Sequence, residues 1–260
     1  PNQIFWYFFN PFIIIELTGN LHFEGVMLFF LITSLYLLQQ KKWMWSGVLL
    51  GISVSVKLIP LLLLPLYFRW FLNNFNKGFF KLFLFHLIIV GTAAVTFLPF
   101  LSEQFLSNFT DTIALWFQNF EFNASIYYVI RWIGFKIVGW NLIESVGKVL
   151  PMIVIAFLLL ISFFRNNKSF SGLITSLLFG ISFYFLLSTT VHPWYIATPL
   201  LLCIFTNYRF PIVWSLVVIL SYSAYGINGF SENLWLVSLE YIIVIGYFIW
   251  EVFYKNKPLI

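Results

Sequence analysis

Two carboxylates, an imidazole and an amide fall within nine positions near the start of the chain, at Glu16, Asn20, His22 and Glu24. Carboxylates accept hydrogen bonds from hydroxyl groups, and histidine can act as a donor or a base near neutral pH. The sequence on both sides of this motif is almost wholly apolar. Ionisable groups in such surroundings are costly and mark functional sites. We predict that these four residues bind the hydroxyl groups of a sugar or a divalent cation.

A simpler interpretation covers part of the motif. In it, Asn20 caps a helix that begins at Leu21, and Glu24 lies in the first turn, where the helix dipole favours an anion. That arrangement accounts for one acid, but not for Glu16 and His22 as well.

Lys57 interrupts an apolar segment, 46–72, and is followed by Pro60. Proline removes a backbone donor and disfavours helix at the residue before it, so we predict two half-helices with a break near Lys57. A buried ammonium group at this break would pair with Glu24 or Glu16, or bind a lipid phosphate. The alternative is that the side chain snorkels to the membrane surface.

Two later motifs supply further candidates for substrate binding. In His192-Pro193-Trp194-Tyr195, the histidine would donate to a phosphate or sugar oxygen, and the aromatic rings would offer stacking faces. The alternative is a turn with interfacial aromatic residues. Asn123, in a Phe-Asn-Ala-Ser stretch, is a weaker candidate and also fits a glycosylation acceptor.

The composition is that of a polytopic membrane protein. Of the 260 residues, 61% are hydrophobic and only 9% are charged, whereas a soluble domain is nearer one quarter charged. The net charge of +5 needs no nucleic acid to explain it, because basic loops orient membrane helices. The single cysteine, Cys203, excludes an internal disulfide.

Spanning a bilayer takes about 20 apolar residues. The candidate spans, several of them short, are 21–39, 78–101, 147–164, 169–190, 194–207, 210–224 and 234–253. We therefore predict an all-α transmembrane bundle with one broken or re-entrant helix pair at 46–72.

Loop charges favour a hairpin at 46–72. If this segment enters and returns on one side, ten cations share the inner side, as the positive-inside rule requires, and three lie outside. The inner ones are Lys41, Lys42, Arg69, Lys77, Lys81, Arg165, Lys168, Arg209, Lys255 and Lys257; the outer ones are Arg131, Lys136 and Lys148. The hairpin then brings the turns at 16–24, 102–146, 190–195 and 225–233 to the outer face, which we predict is the active one.

The stretch 102–146 lacks a clear span, and we expect amphipathic interfacial helices within it at 113–117 and 126–130. The chain, 1–260, has no internal repeat and is expected to form a single transmembrane domain. Because it begins near the end of an apolar stretch, we expect it to be the C-terminal portion of a longer protein.

The motif at 16–24 and the segment 47–60, Gly-Val-Leu-Leu-Gly-Ile-Ser-Val-Ser-Val-Lys-Leu-Ile-Pro, together resemble the polytopic C-fold (GT-C) glycosyltransferases. The similarity is greatest to the polyprenyl-phosphate-mannose-dependent mannosyltransferases of the family 87 type and to the catalytic subunit of the first GPI mannosyltransferase. The stretches 122–125 and 191–195 follow in the same order as in that group.

The resemblance implies transfer of a sugar, with mannose expected, from a polyprenyl-phosphate donor to a glycan or lipid acceptor on the outer face, with inversion. It implies no cofactor and a multi-pass protein in a bacterial inner membrane, or in the ER membrane of a eukaryote. The family's catalytic base is an acidic residue in an outer loop, which we expect upstream of residue 1. Glu24 stands where relatives often have Asp.

Two other function classes stay open from the sequence. Broken helices with a charge at depth also build the binding sites of transporters or flippases, here for a lipid-linked or anionic substrate. A structural remnant is the third possibility. The sequence contains no nucleotide-binding glycine loop, zinc-ligand spacing or Ser-His-Asp order, and it has too few clustered carboxylates to predict a metal site.

Overall fold

The computed structural model describes residues 2–118, 120–227 and 229–255, with the backbone alone for 113–118. It is 79% helical with almost no sheet, which confirms the predicted all-α class. Lys257, predicted to lie on the inner side, is outside the described residues.

The helices and strands follow one another in a simple order. The α-helices are α1 (Phe5–Phe8), α2 (Pro11–Ile13), α3 (Glu24–Gln39), α4 (Trp43–Val56), α5 (Ile59–Leu62), α6 (Phe68–Asn74), α7 (Gly78–Phe97), α8 (Glu103–Gln118), α9 (Ile126–Ile137), α10 (Ile143–Phe164), α11 (Phe170–Leu187), α12 (Ala197–Cys203), α13 (Phe210–Val217) and α14 (Leu234–Trp250). Short 3-10 segments lie at Asn2–Ile4, Leu64–Tyr67, Leu98–Phe100, Pro193–Ile196 and Val218–Ala224, and π-helical turns at Ile14–Gly19 and Glu251–Lys255. The strands β1 (Tyr225–Gly226) and β2 (Gly229–Phe230) form an antiparallel hairpin.

Four helices in the described part of the chain are long and apolar enough to cross a membrane: Gly78–Phe100, Ile143–Phe164, Phe170–Leu187 and Leu234–Lys255. A bent pair, Pro11–Gly19 and Glu24–Gln39, makes a fifth candidate, and three shorter apolar helices accompany them. Each of the seven predicted spans has a helical counterpart. The chain is therefore a membrane protein.

Helices α3 and α4 form an antiparallel hairpin held by buried serines. Ser34 Oγ lies 2.8 Å from the Ser46 carbonyl oxygen, and Ser53 Oγ donates to the Met27 carbonyl oxygen at 2.8 Å. Hydrogen bonds from side chains across helices are common in membrane proteins, because lipid is as apolar as a helix surface and the hydrophobic effect alone does not drive helices together. Gly51 then lets α7 approach, because a Cβ at this position would meet the Ile89 carbonyl oxygen at 2.8 Å.

The chain doubles back at Lys57, as predicted. Helix α4 ends at Val56, Lys57 is extended, and Pro60 occupies the first turn of α5. Beyond it, α6 returns to the level at which α4 began, since Lys41 Nζ donates to Asn74 Oδ1 at 2.9 Å.

We call the end of the bundle that holds Glu16, Glu24, Lys57 and His192 the motif end. The opposite end, which holds Lys41, Asn74, Arg165 and Arg209, is the lysine end. At the lysine end, the Asn74 amide donates to the Lys168 carbonyl oxygen at 2.9 Å, which joins the turn after α10 to the turn between α6 and α7. For the described residues, the loop cations divide between these two ends as predicted.

The predicted boundaries needed three corrections. The first span begins at Glu24 rather than 21, and the third at Ile143 rather than 147. The region 102–146, read as two short interfacial helices, contains the longer helices α8 and α9. Both are amphipathic, and their polar residues had obscured their length.

Candidate functional site

An elbow in the chain gathers the acidic residues of the motif. The helical segments Pro11–Gly19 and Glu24–Gln39 meet at 110°. Glu16 lies on one arm and Glu24 on the other, and each is only 1% exposed. Leu21, in the corner, has a positive φ of 54°, a strained conformation for a branched residue. The elbow thus holds two buried carboxylates beside a break in the helix.

Glu16 is held by three side chains. The Tyr222 hydroxyl donates to its Oε1 at 2.7 Å, and the Asn20 amide donates to its Oε2 at 3.3 Å. His22 Nε2 lies 3.5 Å from the same Oε2. Asn20 therefore does not cap the following helix, which begins at Glu24 without a side-chain cap; the simpler interpretation of the motif is wrong for Asn20.

Glu24 pairs with Lys57. The Lys57 ammonium group donates to Glu24 Oε1 and also lies 4.6 Å from the centre of the Tyr195 ring. Of the two predicted partners, the structure selects Glu24, and the snorkelling alternative is wrong. The Oε2 atom of Glu24 is buried and has no hydrogen-bond partner among the described residues.

An aromatic column connects the elbow with the turn before α12. The His22 ring stacks on Trp194 at a centroid distance of 3.8 Å, and Trp194 stacks on His192 at 4.5 Å. On its other side, His192 contacts Phe122 at 5.2 Å. The turn is a 3-10 segment because Pro193 fixes the first φ angle and lacks a donor.

Both imidazoles of the column are less basic than in water. Burial lowers the pKa of His22; the Glu16 carboxylate opposes this shift and the Lys57 ammonium adds to it. Burial lowers the pKa of His192 to about 4, with further contributions from Lys57 and His22. At neutral pH both rings are therefore neutral and can act as hydrogen-bond donors or acceptors.

Asn123 belongs to a neighbouring network rather than to the column. It is buried with a positive φ of 45°, its backbone N–H donates to Glu232 at 2.6 Å, and its amide donates to Glu240 at 3.3 Å. The adjacent Phe122 pairs with the 189–191 strand-like stretch through two backbone hydrogen bonds of 3.0 and 2.8 Å. Asn123 therefore anchors the segment that covers His192; its binding of substrate stays a prediction.

The structure thus brings seven of the eight predicted residues to one contiguous cluster at the motif end. These are Glu16, Asn20, His22, Glu24, Lys57, His192 and Tyr195. The eighth, Asn123, is joined to the cluster through Phe122. The four turns predicted to share one face therefore meet, since Tyr225 of the last one contacts Phe122 at 5.9 Å.

Sequence reasoning missed Tyr222, Glu232 and Glu240. Glu240 lies inside α14, is fully buried, and accepts from the Trp214 indole at 3.1 Å. An acid within an apolar span was the signal available for it. Tyr222 had no such signal, because tyrosines are frequent in this chain and its partner is 206 positions away.

The cluster combines groups suited to a phosphorylated sugar. It has one cation next to a buried carboxylate, two neutral imidazoles, and a stack of partly exposed aromatic rings that can contact a sugar. Within the residues that the structure describes, no three His, Cys, Asp or Glu side chains are grouped so as to hold a metal ion.

Comparison with known families gives a match to the N-terminal part of the chain. Residues 2–72 match the MptA_B family model, described as alpha-(1->6)-mannopyranosyltransferase, N-terminal domain. The match supports a mannosyltransferase of the GT-C type. It confirms the resemblance found in the sequence. No curated protein and no solved structure matches the chain.

The matched mannosyltransferase stretch contains the elbow, the α3–α4 hairpin and Lys57. His192 and Tyr195 lie outside it, yet they touch it directly through Trp194 and through the Lys57 ammonium group. The cluster is therefore shared between the matched stretch and the remainder of the bundle.

Proposed function

We propose that the protein transfers mannose from a polyprenyl-phosphate donor to a glycan or lipid acceptor on the outer face of the membrane, with inversion. The observation that carries this proposal is the pairing of Lys57 with Glu24 beside the aromatic column, inside the stretch that matches a mannosyltransferase domain.

Lys57 would neutralise the departing phosphate. Its side chain is 27% exposed and is already held between Glu24 and the Tyr195 ring, so little ordering is needed when an anion arrives. The ammonium group has three donors, of which the pair with Glu24 uses one. His192, neutral at physiological pH, would donate a hydrogen bond to a phosphate or sugar oxygen.

The sugar would lie against the aromatic column. Both faces of Trp194 are covered by His22 and His192, so the partly exposed His22 ring and the edges of Trp194 and Tyr195 would contact the sugar. The exposed Asn20 would form hydrogen bonds with its hydroxyls. Glu16 would orient Asn20 and His22 rather than contact the sugar or take a proton, because it is buried and Tyr222, Asn20 and His22 already surround its oxygens.

Inversion requires a single displacement. The acceptor oxygen forms a bond to the anomeric carbon, the bond between that carbon and the phosphate oxygen breaks, and the phosphate leaves with the electron pair. A carboxylate takes the acceptor proton. The family resemblance assigns this base to an outer loop, and we do not assign it to Glu16 or Glu24.

The polyprenyl tail would enter from the bilayer among the apolar helices. We place the cluster on the outer side, because the loop cations predicted to be inside lie, in the described part of the chain, at the opposite end of the bundle. In a bacterium this is the periplasmic face of the inner membrane.

Transfer by the full-length protein tests the proposal. The protein is reconstituted in liposomes with polyprenyl-phosphate [14C]mannose and a membrane extract as acceptor source, and labelled product is counted. Lys57→Met should lower kcat/KM by at least tenfold, and the matched control Lys148→Met should have little effect. Equal turnover in both variants would remove Lys57 from the site. Movement of the donor across the bilayer without transfer would favour the transporter alternative.

A further inference from the structure

The strongest charged surface outside the candidate site is at the lysine end. Four lysines lie at or beside the two turns that join α3 to α4 and α6 to α7. Lys41, Lys42 and Lys77 are in the turns, and Lys81 is in the first turn of α7. The chain has no acidic residue between Glu24 and Glu103. None of these four lysines has an ion-pair partner among the described residues within salt-bridge distance. Their charge is therefore uncompensated locally.

Two of these lysines converge on one aromatic ring. The Nζ atoms of Lys41 and Lys81 lie 5.1 and 5.2 Å from the centre of the Phe75 ring. Lys41 also lies 4.9 Å from the centre of a Trp70 ring and donates to Asn74 Oδ1 at 2.9 Å. Both ammonium groups therefore lie at the Phe75 ring, within about 10 Å of each other.

Tight turns fix this arrangement. Lys41 and Lys77 both adopt a positive φ, of 62° and 54°, which sharpens the turns that bring the two loops together. At Gly78 a Cβ would meet the Phe71 carbonyl oxygen at 2.4 Å, so only glycine lets α7 start this close to the end of α6.

Large apolar side chains border the lysines. Trp45, Phe79 and Phe80 are 66%, 69% and 57% exposed, and all follow the lysine turns directly in the chain. Exposed aromatic residues next to cations at the end of a membrane helix are typical of the boundary between head groups and acyl chains. A soluble phosphate would use the cations and leave this apolar border without a role.

We propose that the lysine end carries a binding site for the head group of an anionic phospholipid, with Lys41 and Lys81 as its principal cations. Lys42 and Lys77 add long-range attraction, and the exposed rings pack against the acyl chains. Clusters of four or more basic residues directly beside membrane helices bind anionic lipids in this way. The site is at the opposite end of the bundle from the proposed transfer site and does not depend on it.

The proposal is tested by lipid binding to the full-length protein in detergent, measured by native mass spectrometry with phosphatidylglycerol and with phosphatidylcholine. A lysine near an anionic surface contributes roughly a fivefold gain in affinity, so Lys41→Gln with Lys81→Gln should weaken phosphatidylglycerol binding by about 25-fold. The conservative pair Lys41→Arg with Lys81→Arg should retain it, since it keeps both charges.

A matched control removes two lysines from the other end of the bundle, as Lys136→Gln with Lys148→Gln. If this control weakens binding as much as the first pair, overall charge explains the effect and the site does not exist. Unchanged binding in the Lys41 and Lys81 variant would also overturn the proposal. Inorganic pyrophosphate is the second probe: if it displaces the lipid completely at equal concentration, the site recognises soluble phosphate and the assignment to a lipid is wrong.

Discussion

The buried pair of Lys57 and Glu24 makes the sharpest prediction about stability. Glu24 is 1% exposed, so removing the ammonium group with Lys57→Met leaves a buried charge without its partner. Breaking one side of a buried pair costs about 3–5 kcal/mol. Glu24→Gln should cost less, because the half-buried Lys57 can reach solvent.

The double variant, Lys57→Met with Glu24→Gln, should lose about 2–3 kcal/mol less unfolding free energy than the sum of the two single losses. This difference is the coupling energy of the pair. The assay is reversible unfolding in mixed micelles, followed by circular dichroism, for the two single variants and the double variant. The control cycle uses Lys148 and Glu144, an exposed pair at i and i+4 with a distance of 3.2 Å, for which the coupling should be about 0.3–0.5 kcal/mol.

Additive effects at Lys57 and Glu24, within about 0.5 kcal/mol, would refute the reasoning. They would mean that the two side chains do not interact in the folded protein. The hairpin that turns at Lys57 would then lack the main contact that supports it. Coupling in the control as large as in the test pair would instead show that the assay does not resolve buried from exposed charges.

Three further predictions follow from single contacts. Tyr222→Phe should cost about 1.5–3 kcal/mol of unfolding free energy, because it removes a hydrogen bond to the buried Glu16; the exposed Tyr36→Phe should cost almost nothing in the same assay. Gly51→Ala should lower the free energy of unfolding by about 1–3 kcal/mol, because the added Cβ would meet the α7 backbone. The control Gly91→Ala, where a Cβ meets nothing within 4 Å, should be neutral or slightly stabilising. A larger loss for Gly91→Ala than for Gly51→Ala would contradict the packing of α4 on α7. Burial lowers the pKa of His192 to about 4, so on acidification the unfolded chain takes up this proton before the folded one, and stability should fall as the pH drops from about 6.5 towards 4. His192→Phe should reduce the slope of unfolding free energy against pH in that window. An unchanged slope would mean that this ring is not buried as a neutral group.

Much of the fold and the gathering of the candidate residues could be predicted from the sequence. Pro60 and Lys57 together marked the break, because a proline and a charge in an apolar run leave few structural solutions. Loop charges then decided between a crossing and a hairpin. The sequence limited the acidic partners of Lys57 to Glu24 and Glu16, and the structure selected Glu24.

What the sequence could not predict depends on contacts between distant segments. The elbow lies at the break between Gly19 and Glu24, directly after a π-helical turn at Ile14–Gly19, and the residues there carry no distinctive pattern. Asn123 was assigned from its motif alone, but its contacts are set by Glu240, which lies 117 positions away. The stack of His22, Trp194 and His192 likewise depends on how α12 packs against the elbow, which no local propensity specifies.

The central claim is that a polyprenyl-phosphate sugar binds at the motif end, between Lys57 and the aromatic column. The most direct measurement is photo-crosslinking of the full-length protein with a donor analogue that carries a photoreactive group next to the phosphate, followed by peptide mapping. The account predicts labels on the peptides that contain Lys57 and the 192–195 turn, and their loss when unlabelled donor competes. Competable labels confined to the lysine end or to the α13–α14 pair would contradict it.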